Sequence, residues 1–401
     1  MSDSNDLKQV IDGILRSVAE SQNFDSYEAN SDLNVDTGDG FLGQFITGSV
    51  KDKTTGEIIN VVIKKSPKLA FNNFTFKNEI AFYSIIFPAL RSLQTETGVS
   101  TKFDHITRYF SGSTDPEKLY VAMEDLRLMD YVMHDKKKYL DQKHLRYIFR
   151  LYGRFHALSF VLKKQNHDKF ASLVSETVQI FEKMGEGLIK VIEPCVVAGL
   201  NGLVSEDAKA VRDKCKELAD NLSEHFFRAC RYRGDYSCIT HGDCWSNNFF
   251  FKYSESGQLE DMKLIDFQFC RESTPVHDLS FLFYSGASKD DFDKVEEYLQ
   301  LYHESFCHYA TEFGLNGEDL LPFEILKQDW KQYSLFGALM GIMLWQIKLT
   351  DKEQCKEYTE KEGEERSVEH LDSVMGKSHQ SSDFKERTGN ILIHAVEYGL
   401  F

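Results

Sequence analysis

The chain has 401 residues, 42% of them hydrophobic and 27% charged, with 47 basic and 63 acidic side chains for a formal net charge of −16. That is enough apolar material for one two-lobed enzyme or for two or three domains, and it excludes disordered, collagen-like and small disulfide-stapled chains. So acidic a chain is a poor ligand for nucleic acid or an anionic membrane, and a phosphate site would have to be local, built from a lysine, a metal and backbone amides.

In chain order, the first predicted element is an amphipathic helix over 7–20, where Leu7, Val10, Ile11, Ile14, Leu15 and Val18 recur at 3–4 spacing. The polar stretch that follows, to about Asp36, reads as irregular. Phe41–Val50 and IINVVIK (58–64) read as strands of a hairpin across the turn DKTTGE. Residues 74–95 read as a helix that Pro88 kinks or shortens. HITRYFSGS and KLYVAME, within 105–124, read as two more strands.

Beyond Asp125 helical spacing dominates, over 141–164, 170–192, 205–231, 288–312, 323–349 and 382–398. Only 237–267 interrupts it, with strands around Phe249–Tyr253 and Lys263–Ile265; the charged stretch 351–381 reads as a surface loop with helical pieces. The expectation is an α+β chain with a small β-rich lobe over 1–123 and a large helical lobe over 124–401. Ligands commonly bind in the cleft such a layout creates.

The most apolar run, Tyr333–Ile347, ends at Lys348, short of the roughly 20 residues a membrane span needs. The amino-terminal MSDSNDLKQV lacks the basic and apolar regions of a secretory signal. The eight cysteines form no C-x-x-C pair, so neither zinc nor a redox dithiol is indicated. A cytoplasmic protein is expected, a monomer without nucleic-acid or membrane partners.

Four segments carry chemistry. His241-Gly-Asp-Cys-Trp-Ser-Asn-Asn248 fits H-x-D-x-x-x-x-N, an arrangement used in phosphoryl transfer. There Asp243 accepts the proton of an attacking hydroxyl, and the Asn248 amide oxygen ligates Mg²⁺, a cation that prefers oxygen ligands. His241 holds the loop by hydrogen bonds. Leu264-Ile-Asp-Phe-Gln268 ends a strand with a carboxylate, Asp266, and the intervening hairpin would set it beside Asn248 as a second metal ligand; taken alone, Asp266 reads first as a strand-end turn residue. Val61-Val-Ile-Lys64 offers a lysine to nucleotide phosphates, with Glu79 on the following helix to fix it by an ion pair. Gly38-Asp-Gly40-Phe-Leu-Gly43 is a literal G-x-G-x-x-G, but a strand and hairpin follow it rather than a helix. That context favours a flap over phosphates, or an ordinary loop, over a dinucleotide fold.

In Tyr120-Val-Ala-Met-Glu-Asp-Leu126 the main chains of Glu124 and Leu126 could bind adenine at a hinge. Asp278 reads either as a brace for the catalytic loop or as a helix cap. The aromatics Trp245, Tyr284, Trp330, Tyr333, Phe336 and Trp345 read mainly as core, with some free to line an apolar acceptor pocket.

With VVIKKSPK, FKNEIAFY, YVAMEDL, GRFHALSF, HGDCWSNNFFFKY and LIDFQFCRESTPVHDLSFLFY in hand, the chain resembles the ecdysteroid kinase-like proteins of arthropods. These belong to the wider choline/aminoglycoside-kinase-like group with a protein-kinase-like fold. The resemblance runs from about residue 36 to 285. It implies a two-lobed kinase that uses ATP and Mg²⁺, with Asp243 as base, Asn248 and Asp266 on the metal, and Lys64 and Glu79 at the phosphates. It further implies a steroid alcohol acceptor such as an ecdysteroid. Xenobiotic or dietary alcohols, and a nucleotide-binding pseudokinase, are the alternatives; the intact Asp243, Asn248, Asp266 and Lys64 weigh against the last. Asp266-Phe-Gln lacks the glycine of the protein-kinase Asp-Phe-Gly, and DTGDGFLGQF is only loosely family-like.

Overall fold

In the computed structural model, which describes residues 2–36, 44–66, 72–205, 208–350 and 378–401, the amino-terminal third is one antiparallel sheet between helices. Helix α1 (Ser2–Ser21) lays Ile11, Ile14, Leu15 and Val18 on one face of that sheet. The strands are β1 (Tyr27–Asp36), β2 (Gln44–Asp52), β3 (Ile58–Lys65), β4 (Tyr109–Ser113) and β5 (Tyr120–Glu124), in the order β1-β2-β3-β5-β4. Because strand side chains alternate, Val61 and Ile63 enter the core under α1, while Val62 and Lys64 face the other way.

β1 corrects the sequence reading, which has an irregular stretch here. YEANSDLNVD carries no apolar alternation because this is an edge strand; its order comes from the backbone ladder to β2, Tyr27 opposite Asp52 through Asp32 opposite Thr47.

The second face is covered by α2 (Asn72–Ala81), a π turn (Phe82–Ile86) and α3 (Phe87–Thr97), which run on as one helical rod. Pro88 does not shorten it. The π turn lets the Phe87 N–H reach the Phe82 carbonyl, and this widened register accommodates Pro88, which has no N–H to donate, at the start of α3.

After β5 come β6 (Tyr131–Met133) and α4 (Gln142–Gln165), then α5 (His167–Val174), α6 (Ile180–Met184), α7 (Glu186–Leu200), α8 (Lys209–Asp220) and α9 (Leu222–Cys230). Predicted long helices are thus divided. Gly185, at φ +53°, and Asn221 stop them. β7 (Cys238–Thr240), β8 (Phe249–Tyr253), β9 (Leu259–Leu264) and β10 (Arg271–Ser273) make two small sheets, β10-β7 and β6-β8-β9.

α10 (Pro275–Gly286) is a helix the sequence reading offers only through the alternative of Asp278 as a helix cap, without bounds. All its residues are buried, so it has no polar stripe to reveal the helical period. α11 (Lys289–Phe292), α12 (Val295–Thr311), α13 (Gly317–Leu320), α14 (Phe323–Tyr333), α15 (Leu335–Leu349) and α16 (Ser382–Glu397) complete the helical part. The result is an α+β fold of two lobes. Tyr284, Trp330, Tyr333, Phe336, Met340 and Trp345 are all core; they do not form an accessible wall. Among the described residues no helix is long and apolar enough to cross a membrane. Most of the stretch 351–381 lies outside the described residues.

Candidate active site

Lys64, near the end of β3, is buried beneath α2 with its ammonium shared by two carboxylates: Nζ lies 2.8 Å from Glu79 Oε2 and 2.7 Å from Asp266 Oδ1. Burial opposes the charge on Lys64, but Asp266 and Glu79 together outweigh it and raise its pKa. Burial likewise pushes Glu79 up, against the pull of Lys64. One oxygen of Glu79, Oε1, is buried without a partner among the described residues.

Asp266 reaches this point from the opposite side. The β8–β9 hairpin pairs Phe249 with Leu264, and the Ile265 N–H donates to the Asn248 carbonyl (3.1 Å), so Asn248 and Asp266 become neighbours. Asp266 has φ +66°, a conformation few non-glycine residues adopt, and its N–H donates to the Tyr83 hydroxyl (3.2 Å). Phe267 is thereby turned inward. Its ring stacks on Phe82 with centroids 3.5 Å apart, and His241 lies 4.2 Å away on centroids.

The loop from His241 to Asn248 hangs between β7 and β8. Asp278, at the start of α10, accepts from the N–H groups of His241 (2.7 Å) and Gly242 (2.9 Å), and His156 Nε2 on α4 lies 3.1 Å from it. Both sequence readings of Asp278 meet here, since it sits in the first turn of a helix and also braces the loop. Gly242 has φ +84°, and a Cβ there would run into the Phe269 carbonyl. His241 bonds the Ile265 carbonyl through Nε2 (2.9 Å) and accepts the Asp243 N–H through Nδ1 (3.2 Å). Both ring nitrogens are used, and burial lowers its pKa, so the ring is a neutral strut.

Asp243 is nearly enclosed. Burial, and then the charge of Asp266, raise its carboxyl well above the ordinary range. Gln268 Nε2 donates to Asp243 Oδ2 (3.0 Å), and Asn248 Nδ2 donates to the Asp243 main-chain carbonyl (2.8 Å). With Nδ2 committed, Asn248 has its amide oxygen left, and Asp266 has Oδ2. A pair of free oxygens on adjacent side chains is the donor set a hard cation such as Mg²⁺ takes.

Lys64, Glu79, Asp243, Asn248 and Asp266 therefore meet in one place. At the end of β5 the Glu124 N–H donates to the Arg108 carbonyl (2.9 Å), and Leu126 opens a short 3₁₀ turn (Leu126–Met129) capped by Asp125. Gly38, Gly40 and Gly43 lie outside the described residues. Sequence reasoning missed Tyr83, His156 and Gln268. Gln268 directly follows Asp266-Phe267, and its position there was the available signal.

The model of the ecdysteroid kinase-like family matches residues 38–314. Among solved structures, a glucosamine kinase (crystal form B) is similar over 95% of this chain and 83% of its own, with 9% identity and a TM-score of 0.35. No curated protein matches.

Proposed function

The chain belongs to the ecdysteroid kinase-like family, and from that premise we propose that it is an ATP- and Mg²⁺-dependent kinase that phosphorylates a hydroxyl of a small alcohol. The observation that carries the reading is the shared ammonium of Lys64, held between Glu79 and Asp266 beside the enclosed carboxylate of Asp243. A structural ion pair needs one carboxylate for one ammonium. Three acids around one lysine, two of them fully or nearly buried, form a site short of positive charge, which suits a metal–phosphate ligand.

In this reading Lys64 binds phosphate oxygens and Glu79 keeps its ammonium in place. Asn248 and Asp266 would hold Mg²⁺, and the bound cation would supply charge neutralisation to the phosphate groups. Asp243 orients the acceptor hydroxyl and takes its proton as the oxygen attacks the γ-phosphorus. Its raised pKa favours that role, because a carboxylate held above its ordinary range is a stronger base. Gln268 fixes one oxygen of Asp243 and leaves the other for the hydroxyl. The Glu124 carbonyl and the Leu126 N–H are the hinge groups assigned to adenine.

For the acceptor we infer an apolar alcohol of steroid type. The family supports it. Burying an apolar acceptor removes area from water at about 25 cal/mol per Å² and needs no ionic anchor.

The test is ADP formation with an ecdysteroid, choline and kanamycin as acceptors, for the wild type and Asp243→Asn. The expected result is turnover with the steroid, reduced on the order of 10²–10⁴-fold in the variant with ATP affinity little changed. Near wild-type turnover by the variant would remove Asp243 as base. A preference for either cation would remove the steroid alcohol.

A further inference from the structure

The turn that carries Asp266 is held by one helix. Asn78 and Glu79, near the end of α2, stand four residues before Phe82 and Tyr83 at the start of the π turn, so these side chains lie side by side on one helical face. Each of them reaches the segment from Asp266 to Cys270 or its partner Lys64. Asn78 Nδ2 donates to the Cys270 carbonyl (3.1 Å). Glu79 holds Lys64, whose ammonium lies 2.7 Å from Asp266 Oδ1. Phe82 stacks on Phe267, and the Tyr83 hydroxyl accepts the Asp266 N–H (3.2 Å).

The helix is itself fixed. Asn78 Oδ1 accepts the Val178 N–H (2.7 Å) and Nδ2 donates to the Val178 carbonyl (3.0 Å), which fastens α2 to the main chain between α5 and α6. Asn78, Glu79 and Tyr83 are all buried. The Tyr83 ring lies nearly parallel to Tyr109, with planes 4° apart, and edge-on to Phe267. Its oxygen is therefore an acceptor set in place by packing. The residue it holds is the strained one. Asp266, at φ +66°, has a left-handed conformation that a residue with a Cβ keeps only where its surroundings over-determine it. Among the described residues the Asp266 N–H has no other acceptor. Without this bond the backbone is free to relax, and the carboxylate swings away from Asn248.

We propose that Tyr83 is a positioning residue, whose phenolic oxygen holds the left-handed turn in the free protein and so presets the Asp266 carboxylate for a divalent cation. The inference rests on the reading of Asp266 as a metal ligand, and adds that the ligand is oriented before the ion arrives. Preorganisation of this kind strengthens binding by removing the cost of ordering the site. Deleting the hydroxyl moves that cost onto the binding step. Metal affinity falls, while nucleotide binding without metal changes little.

Tyr83→Phe keeps the ring and its stacking and removes only the acceptor. Tyr109→Phe is the control, since it removes a hydroxyl from the neighbouring ring without touching Asp266. The full chain of each is titrated with Mn²⁺, an ion of the same oxygen-preferring class as Mg²⁺, in the presence of ADP, the free ion being followed by paramagnetic resonance. ADP affinity in chelator and the melting temperature are measured alongside. The expected result is equal Mn²⁺ affinity in the wild type and Tyr109→Phe, and affinity about three- to tenfold weaker in Tyr83→Phe, the worth of one lost hydrogen bond. ADP affinity in chelator should be the same in all three. Equal Mn²⁺ affinity in the wild type and Tyr83→Phe would overturn the role of Tyr83. So would a loss shared by Tyr109→Phe, or by ADP in chelator, because either marks general damage to the packing. Absence of Mn²⁺ binding in the wild type is a different result; it would remove the metal reading itself and this inference with it.

Discussion

Replacing Asp278 by asparagine keeps the shape of the side chain and removes half of its capacity to accept. Its two oxygens receive the N–H groups of His241 and Gly242, with His156 Nε2 on the same oxygen as His241. An amide must turn its NH₂ toward one of these donors, so one charge-assisted hydrogen bond is lost, worth about 1.5–3 kcal/mol. The titration of the group gives a second measure. Burial would raise the Asp278 carboxyl, yet the His156 ring and the His241 N–H hold it down to about 2 against an ordinary 3.8. That difference is equivalent to about 2 kcal/mol of folding free energy, in line with the first figure. The folded value lies below the unfolded one, so the contribution is complete above pH 3.8 and is lost as the pH falls toward 2. Thermal melts of wild type and Asp278→Asn between pH 7 and pH 3 should show the variant several degrees lower at neutral pH, the gap closing on the acid side. Turnover should fall with it, because the loop that carries Asp243 loses its brace. Equal melting temperatures and equal rates at pH 7 would refute the reasoning.

Lys64→Met should destabilise the fold by about 3–5 kcal/mol in denaturant titration, since Glu79 would be left as a buried, unpaired acid; adding Glu79→Gln should restore part of the loss. Gly242→Ala should cost both stability and turnover, because φ +84° and the Phe269 carbonyl leave no room for a methyl group. The pH profile of kcat/KM should fall on the acid side at a pH well above the ordinary carboxylate range, as Asp243 gains its proton. Gln268→Ala should move that limb to still higher pH, because the bond from Gln268 favours the ionised form.

The cluster Lys64, Glu79, Asp243, Asn248 and Asp266 was legible because each residue belongs to a short segment whose local structure the sequence declares. VVIK is strand by composition, and the apolar strand before Asp266 ends where the hairpin spacing brings it to Asn248. Gln268 was not legible in the same way. Its bond to Asp243 exists because Asp266 adopts φ +66° and turns the next residues back under the loop, and a single sequence does not declare a left-handed aspartate. β1 was missed because backbone pairing rather than side-chain burial orders it. α10 was signalled only by Asp278 as a possible cap, for the opposite reason, since a helix buried on every side has no period to detect. The aromatic run from Trp330 to Trp345 shows that helical spacing of large apolar residues speaks for core before it speaks for a pocket.

The ammonium of Lys64 sits within hydrogen-bond distance of both Glu79 and Asp266, and this sharing bears on how the two proposed ligands would enter. A phosphate that draws Lys64 toward itself frees the Asp266 carboxylate for a cation. A cation that draws Asp266 away leaves Lys64 with less negative charge to satisfy and more to offer a phosphate. Each ligand thus removes the counter-ion that the other must displace. Their binding is expected to be synergistic, with a reciprocal coupling free energy between nucleotide and metal. In that scheme the free protein is held shut by its own ion pair, and the complex of metal and nucleotide, arriving together, exchanges one closed set of charges for another.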